Sequence, residues 1–362
     1  MLCIFRRYLE GMASEYAFTP YHLLMAKRVT IKDIAQALNT NSSTVSRALN
    51  DSPLISDQTK ALVRAKATEL GYYPNSIARQ LREGKSRTIG LLVPRINRVF
   101  FANIIHGVES VARARGYQLL ICQSNDDVAE EIEAVRTLRA QKVAGMLVSR
   151  ASAPIDERIY QEALSDGLPL VMFDRILTTL NVNKVVNANR EASYQAVQHL
   201  IEQGYRRIVH FGGPLTLSIY QERYAGYQQA LQEAGIAEDP ALVFHPVITQ
   251  EAGRATTERM LAQGLAFDAI AATSDLSALG AWQVMREQGI AIGPEKGLIG
   301  FANESFAELI GMSSVEQYSV EMGKTAARLL FEDIEVADAD TPQIRRQVLI
   351  TPKLVLRSSS QR

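Results

Sequence analysis

Residues 29–51 read VTIKDIAQALNTNSSTVSRALND, a stretch in which two short helical patterns are separated by a polar break. Thr30 can cap the first helix, and Asp33 at the third helical position completes a capping-box-like pair. Asn39 opens the break, and asparagine tolerates a left-handed turn. Apolar residues recur at helical spacing on both sides of the break, at Ile31, Ile34, Ala35, Leu38, Val45, Ala48 and Leu49. The stretch therefore predicts a helix-turn-helix unit.

Two more helical patterns follow this unit along the chain. The third helix is predicted to start after Ser56, whose hydroxyl can cap it, and to end at Leu70 before Gly71. Such a helix would brace the first two. After Pro74, the residues NSIARQLREG (75–84) form a fourth pattern, which is too short to be a stable helix by itself.

The second helix contains the residues TVSRALND (44–51), which place short polar groups opposite its apolar stripe. A solvated helix usually has long Lys and Glu side chains there, so short hydroxyl and amide groups indicate a face that approaches another molecule closely. Residues 26–88 hold eleven Lys and Arg against five Asp and Glu, although the whole chain balances 39 basic and 39 acidic residues. A basic helical module is thus joined to an acidic body.

From Thr88 onward, strand patterns alternate with helical patterns. The runs TIGLLVP, YQLLICQ, VAGMLVS and PLVMFD are continuously apolar, as in strands buried on both faces, and helical stretches of 12–16 residues separate them. After KVVN come the strands RRIVHFGG, FDAIAATSD and KGLIGFAN, with helices near 190–203, 219–234, 251–263 and 275–288. Near the end, QVLITPKLVLRSS has the pattern of a strand pair that crosses back. Two such series predict two similar subdomains facing a cleft, with ligands at the carboxyl ends of the strands.

Cysteine content and hydropathy indicate the cellular compartment of the chain. Cys3 and Cys122 are far apart and give neither a disulfide framework nor a metal-ligand spacing, which favours a reducing compartment, the cytoplasm. No run approaches the ~20 apolar residues of a membrane span, and charged residues interrupt residues 1–24, so no secretory signal is predicted. Because MAKRVT at Met25 has the pattern of a natural start, residues 1–24 are interpreted as a non-native or disordered extension.

In this order, the motifs resemble those of the lactose/galactose-repressor (LacI/GalR) family of bacterial transcription regulators. VTIKDIAQALNTNSSTVSRALND is close to that family's DNA-binding signature, ELGYYPNSIARQL to its third helix and hinge, and GFAN with MGKTAARLL to the end of its effector domain. The resemblance spans Val29 to Arg357. It implies a small all-α helix-turn-helix headpiece followed by an α/β core of two doubly wound parallel-sheet subdomains, similar to periplasmic binding proteins.

The resemblance also implies how the chain is divided and assembled. The DNA-binding headpiece would occupy residues 25–73, the hinge helix and linker residues 74–87, and the effector-binding and dimerisation core residues 88–362. A homodimeric repressor is expected, because one headpiece alone would present only one half-site. No leucine heptad follows the core, so a tetramer is not predicted.

In the family, the second helix enters the major groove of operator DNA, and the partner expected here is a pseudo-palindromic double-stranded operator. The first turn of this helix would meet base edges, and Arg47, one turn on, can reach a phosphate or a guanine edge. Leu81 in the hinge would be wedged into a base step of the minor groove, with simple packing as its alternative role. The implied DNA-binding residues are Thr30, Ser42, Ser43, Thr44, Arg47, Asn50, Asn75, Ala78 and Leu81.

The resemblance places a small-molecule effector, a sugar or sugar derivative, in the cleft of the core. Arg223 matches the family arginine that holds ligand oxygens. Ser274, Ala302 and Ile248 stand where the family commonly has an asparagine, an aspartate and a stacking aromatic residue. A sugar acid or a phosphorylated metabolite is therefore an alternative effector, which Arg175 and Arg223 would suit. The implied effector-binding residues are Phe100, Phe101, Asp126, Asp174, Arg175, Arg223, Asp275 and Asn303.

Catalysis has no support in the sequence. The five histidines show no paired metal-ligand spacing such as HExxH, and neither a GxSxG motif nor a complete phosphate-binding loop is present. We therefore predict no enzyme, no metal and no cofactor. Two other classes stay as alternatives. A sugar-binding protein of the periplasmic carrier type would need an export signal and no basic module, and an enzyme on a doubly wound sheet would need catalytic groups at strand ends.

Overall fold

The structure is a computed structural model that describes residues 29–72, 86–336 and 344–362. The chain divides into two compact units, residues 1–84 and residues 85–362. The predicted extension at residues 1–24 and the hinge residues Asn75, Ala78 and Leu81 lie outside the described residues. Within the described ranges, no helix is both long enough and apolar enough to cross a membrane.

The described part of the first unit forms three helices, α1 (Ile31–Ala37), α2 (Ser42–Leu49) and α3 (Asp57–Glu69). The amide and the hydroxyl of Thr30 both donate to the Asp33 carboxylate at 2.7 Å, which confirms the predicted cap of α1. Asn39 has a left-handed φ of 47° before α2, and Ser56 caps α3 by accepting from the Thr59 amide. The helices pack around a small core of Ile34, Ala35, Val45, Ala48, Val63 and Ala67.

Strands and helices alternate through the second unit, as predicted from Thr88 onward. Its elements in chain order are β1 (Thr88–Val93), α4 (Val99–Ala114), β2 (Gln118–Gln123), α5 (Val128–Ala140), β3 (Met146–Val148), α6 (Arg158–Ser165), β4 (Leu170–Phe173), β5 (Asn183–Asn187), α7 (Asn189–Glu202), β6 (Ile208–Phe211), α8 (Ser218–Glu233), β7 (Val243–Phe244), α9 (Gln250–Ala262), β8 (Ala269–Ala272), α10 (Asp275–Glu287), β9 (Gly297–Phe301), α11 (Ser305–Leu309), β10 (Ser313–Glu316), α12 (Ser319–Val336), β11 (Gln347–Ile350) and β12 (Lys353–Val355). With eight residues, α6 is shorter than the predicted 12–16.

These strands form two six-stranded sheets, one in each subdomain. The first sheet has the order β11-β5-β4-β3-β1-β2, and all of its neighbouring strands are parallel. The second has the order β12-β10-β9-β8-β6-β7, in which β12 runs antiparallel to β10. Successive residues of β1 face opposite cores, since Leu91 and Leu92 belong to separate apolar clusters on the two faces of the sheet. The two predicted doubly wound subdomains are thereby confirmed.

The chain passes between the two subdomains at three places in the described part of the core, namely from β5 to α7, from β10 to α12 and from β11 to β12. The third crossing is the predicted return of QVLITPKLVLRSS, whose two strands pair with different sheets rather than with each other. At the first two crossings, Asn187 Nδ2 donates to the Gln317 carbonyl at 2.9 Å, and Gln317 Nε2 donates to Asn187 Oδ1 at 3.2 Å. These two hydrogen bonds connect the segment that leaves β5 to the segment that leaves β10.

Candidate functional site

The exposed face of α2 carries most of the predicted DNA contacts of the headpiece. Ser42, Ser43 and Arg47 are exposed and Thr44 is half-buried, whereas the opposite face of the helix lies in the headpiece core. Arg47 forms no ion pair with any residue that the structure describes, unlike Lys60, which binds the Asp51 carboxylate at 3.2 Å. The Arg47 guanidinium is therefore available to a partner outside the chain.

Two other predicted DNA contacts are engaged in local hydrogen bonds. Asn50 Nδ2 donates to the carbonyl of Ser46 at 2.7 Å and so satisfies an acceptor at the end of α2. Thr30 is occupied with Asp33 at the start of α1. Both residues are exposed, so a phosphate contact would have to share or replace these bonds.

A cavity lies between the subdomains of the core, where β1, β4, β6, β8 and β9 end. It encloses about 610 Å³ of empty space, including its open mouth. Five of the eight predicted effector-binding residues line this cavity. The complete lining consists of Arg98, Phe100, Phe101, Asp174, Arg175, Ile219, Tyr220, Arg223, Ile248, Thr273, Ser274, Leu276, Phe301, Ala302, Glu304 and Gln317. Ligands of doubly wound sheets bind at this end of the strands.

Arg223, in the first turns of α8, is a buried cation of the cavity and is 4% exposed. Its Nε donates to Asn189 Oδ1 at 2.8 Å, and its Nη1 donates to the Thr273 carbonyl at 2.9 Å. Its guanidinium carbon lies 3.7 Å from the centroid of the Phe301 ring. Burial lowers the pKa of Arg223, although an arginine keeps its proton in proteins. The Nη2 group makes no hydrogen bond with a described residue and can donate to a ligand.

Asp174 directly follows β4 and carries a carboxylate that accepts no hydrogen bond from the residues the structure describes. The residue is 4% exposed, and its φ of 54° is in the left-handed region. Burial raises the pKa of Asp174, and the positive charges of Arg175 and Arg223 oppose this rise. Strained backbone of this kind costs about 1–3 kcal/mol and concentrates at ligand sites. A ligand hydroxyl could donate to Asp174 and accept from Arg223.

Arg175 lines the cavity next to Asp174, and Asp126 supports it from behind. Arg175 Nη1 donates to Asp126 Oδ1 at 2.8 Å, and the same oxygen accepts from the Ser152 amide at 2.7 Å. The Arg175 guanidinium also lies 5.9 Å from the centroid of the Phe101 ring. Asp126, a predicted effector-binding residue, thus contacts a cavity residue but does not line the cavity itself.

Asp275 lies behind the cavity wall, where it supports the segment after β9. Its carboxylate accepts from the Ser314 hydroxyl at 2.6 Å and from the Glu304 amide at 2.7 Å. Burial raises the pKa of Asp275 to about 6, and these hydrogen bonds oppose the rise. A Cβ atom on Gly300 would lie 2.0 Å from Asp275 Oδ1, so only a glycine allows the carboxylate to come this close to β9.

Asn303, the third predicted residue outside the lining, is bonded within its own subdomain. Its Nδ2 donates to the Glu316 carboxylate at 3.0 Å, and its Oδ1 accepts from Arg357 Nη2 at 2.9 Å. The other eleven lining residues were not assigned from the sequence as effector contacts. Nine of them lie within four residues of an assigned position, whereas Ile248 and Gln317 do not. Gln317 follows β10, a strand that the sequence SSVE did not predict. The eleven residues are Arg98, Ile219, Tyr220, Ile248, Thr273, Ser274, Leu276, Phe301, Ala302, Glu304 and Gln317.

Comparison with known proteins matches both parts of the chain. Residues 30–75 match the family described as "Bacterial regulatory proteins, lacI family", and residues 86–357 match "Periplasmic binding proteins and sugar binding domain of LacI family". The ribose operon repressor of Haemophilus influenzae is 32% identical over 336 residues, which cover 91% of this chain and 98% of the relative. The transcriptional repressor CytR of Escherichia coli K12 is 31% identical over 84% of this chain and 90% of its own length.

Two solved structures are similar over nearly the whole chain. The lac repressor dimer bound to operator and the anti-inducer ONPF has a TM-score of 0.82 at 23% identity, covering 93% of this chain and 100% of that one. The complex of the transcriptional regulator CelR with cellobiose has a TM-score of 0.68 at 30% identity, covering 92% and 100%. All of these relatives are regulators rather than enzymes. The chain belongs to the LacI family of bacterial regulatory proteins, and it is a DNA-binding transcription regulator with a small-molecule-binding core.

Proposed function

We propose that this chain is a cytoplasmic homodimeric repressor without catalytic activity, whose operator binding is controlled by a neutral, polyhydroxylated effector such as a sugar. The observation that carries the proposal is the pair formed by Asp174 and Arg223. Asp174 is a buried acceptor that has no hydrogen-bond partner among the described residues, and Arg223 is a buried donor whose Nη2 makes no bond to any of them. Both residues line the same cavity, and they come from different subdomains. Neighbouring hydroxyls of one sugar ring would satisfy both.

The charge balance of the cavity favours a neutral effector over a sugar acid or a phosphate. Arg175 is already paired with Asp126 at 2.8 Å. An anion would therefore have to compete with a carboxylate that is already in place, and burying a further charge is costly. The guanidinium groups of Arg98, Arg175 and Arg223 lie in the lining, and four carboxyl groups lie in it or directly behind it, those of Asp126, Asp174, Asp275 and Glu304.

Aromatic rings provide the second part of effector recognition. Phe101 and Tyr220 line the cavity from opposite subdomains, and the Arg223 guanidinium lies 5.5 Å from the centroid of the Tyr220 ring. The apolar face of a sugar ring can pack against such rings while its hydroxyls reach the polar groups. Direct effector contact is therefore proposed for Phe100, Phe101, Asp174, Arg175 and Arg223, and a supporting role for Asp126, Asp275 and Asn303.

The cavity can control DNA binding because both subdomains contribute to it. An effector that bridges Asp174 and Arg223 favours one relative orientation of the subdomains over others, and this differential affinity is what shifts an equilibrium. On the DNA side, the exposed residues Ser42, Ser43 and Arg47 are proposed to meet the major groove. Serines reach only short distances, so part of the base recognition would use water or close apolar contact.

The test begins with selection of an operator from random double-stranded DNA by the purified full chain. Binding to that operator is then measured with neutral sugars, nucleosides, sugar acids and sugar phosphates, and calorimetry gives the affinity of any active compound. We expect a site with two-fold symmetry and a neutral active compound, whose affinity falls at least tenfold in D174N. Control by a sugar acid or a phosphate would overturn the proposed effector class, and selection of no site would overturn the proposed operator binding.

A further inference from the structure

Two loops from opposite subdomains are hydrogen-bonded to each other beside the cavity. Residues 150–153 follow β3 of the first sheet, and Thr216 lies between β6 of the second sheet and α8, the helix that carries Arg223. The Thr216 hydroxyl donates to the Ser152 carbonyl at 2.6 Å. The Thr216 carbonyl accepts from Arg150 Nη2, also at 2.6 Å. Thr216 thus both donates and accepts across the boundary between the subdomains.

Arg150 is a buried cation, 6% exposed, that donates to main-chain carbonyls and forms no ion pair with a carboxylate of the described residues. Besides Thr216, it donates to the carbonyl of Ala151 at 3.1 Å and to that of Ala153 at 3.0 Å. The fully buried carboxylate of Glu131 accepts a hydrogen bond from the amide of Ala151 and so holds the loop in place. The loop that meets Thr216 is therefore anchored firmly within the first subdomain.

Asp126 connects this loop to the cavity. Its Oδ1 accepts both from Arg175 Nη1, which belongs to a cavity-lining residue, and from the amide of Ser152, whose carbonyl binds Thr216. The main chain makes a second link, because the Arg150 amide donates to the Arg175 carbonyl at 3.1 Å. A change at Arg175 thus has two short routes to the loop. Asp126 itself has a left-handed φ of 67°, so its position is fixed by these partners rather than by backbone preference.

We propose that Arg150, Ser152 and Thr216 form a latch between the subdomains, and that Asp126 is the positioning residue that makes the latch respond to Arg175. A ligand that accepts a hydrogen bond from Arg175 competes with Asp126 for this donor. The hydrogen bond from the Ser152 amide to Asp126 then changes, and with it the strength of the hydrogen bond from the Thr216 hydroxyl to the Ser152 carbonyl. The latch itself depends only on these contacts, whereas its regulatory effect rests on the proposed function.

The latch is tested by hydrogen–deuterium exchange on the full chain without any ligand. T216V keeps the size of the side chain and removes its hydroxyl, and T216S keeps the hydroxyl as the matched control. D126A removes the shared acceptor, and D166A removes a surface carboxylate that binds Arg139, away from the cavity. We expect exchange in residues 150–154 and 214–217 to rise at least threefold in T216V and D126A and to stay unchanged in T216S and D166A.

The decisive measurement is exchange at residues 214–217 in D126A, because these residues belong to the second subdomain and Asp126 to the first. A purely local role of Asp126 would leave exchange at residues 214–217 unchanged. Equal exchange in T216V and T216S, or no change at 214–217 in D126A, would overturn the latch. The regulatory effect is tested with the selected operator, for which T216V should shift Kd at least threefold relative to T216S. An unchanged Kd together with altered exchange would refute the coupling to DNA. If no operator is selected, the proposed function fails while the exchange result still decides the latch.

Discussion

The guanidinium carbon of Arg223 lies 3.7 Å from the centre of the Phe301 ring, and this contact joins α8 to the end of β9 inside the cavity between the subdomains. The planar fork both stacks on the ring and donates to Asn189 and Thr273, three functions that a lysine cannot reproduce together. The side chain is therefore positioned before any ligand arrives.

We expect R223K to lose at least tenfold in effector affinity, about 1.4 kcal/mol or more, while its affinity for the selected operator without effector stays within threefold. Calorimetry with the active compound and operator titrations measure the two quantities. R259K is the matched control, because Arg259 lies 5.7 Å from the Phe244 ring outside the cavity. Effector affinity of R223K within twofold of the wild type would contradict the assigned contact.

On the DNA side, R47A should weaken operator binding by about 10- to 100-fold, since a good arginine contact to a base edge contributes roughly 1–3 kcal/mol. The fold should not change, because Arg47 is exposed. K66A on α3 removes an equal charge and serves as the control, with an expected loss below threefold at the same salt concentration. Equal losses in both variants would show that Arg47 contributes charge alone, without base recognition.

Asp275 makes the stability of the core depend on pH. Because burial raises the pKa of Asp275 from 3.8 to about 6, the folded chain holds this proton more tightly than the unfolded chain does. This contribution favours folding at low pH and is lost as the pH rises through about 6. D275N cannot titrate, so its free energy of unfolding relative to the wild type should increase by about 2 kcal/mol from pH 4.5 to pH 7.5.

Urea unfolding of both proteins at the two pH values measures this change. D127N, at the start of α5, is a control on an exposed aspartate. A difference between D275N and the wild type that does not vary with pH would show that Asp275 has the same pKa in the folded and unfolded chains.

His210 on β6 should have the opposite pH dependence. It is 1% exposed, lies 4.8 Å from the Tyr227 ring, and neither ring nitrogen has a hydrogen-bond partner among the described residues. Burial lowers the pKa of His210 to about 3, so the folded chain binds this proton less tightly than the unfolded chain. The wild type should therefore lose about 2–3 kcal/mol of stability through this group as the pH falls from 7 to 4.5.

H210F cannot bind the proton and should not show this loss, whatever its absolute stability. The measurement is the change in free energy of unfolding between the two pH values, compared with that of H106Q, which alters an exposed histidine. The same loss in H210F and the wild type would mean that other groups cause the acid sensitivity.

The strands that the sequence predicted are those with continuous apolar runs. TIGLLVP corresponds to β1 and PLVMFD to β4, because a strand buried on both faces needs apolar residues at every position. The strands β7, with two residues, and β10, with the sequence SSVE, lack this signal. Two buried serines of β10 are satisfied by hydrogen bonds, as between the Ser314 hydroxyl and Asp275, and such pairs are not visible in the sequence.

The cavity was predictable where a residue directly follows a strand or matches a family motif, as for Asp174 and Arg223. A position after a strand, or in a family motif, does not show whether the side chain lines the cavity or supports a lining residue from behind. Asp126 follows β2 in the expected place, yet its carboxylate binds Arg175 and Ser152 because these partners come from other segments of the chain. This distinction depends on distances between residues that are far apart in sequence.

The third crossing between the subdomains has a consequence for synthesis on the ribosome. β11 pairs with β5 at the edge of the first sheet, and β12 pairs with β10 at the edge of the second, so two strands that are close in sequence complete both sheets. A nascent chain that ends before Gln347 would expose one unpaired strand edge in each subdomain, and such edges promote aggregation. Neither sheet is complete until residues 347–355 have been synthesised, so both subdomains are completed within the same few residues.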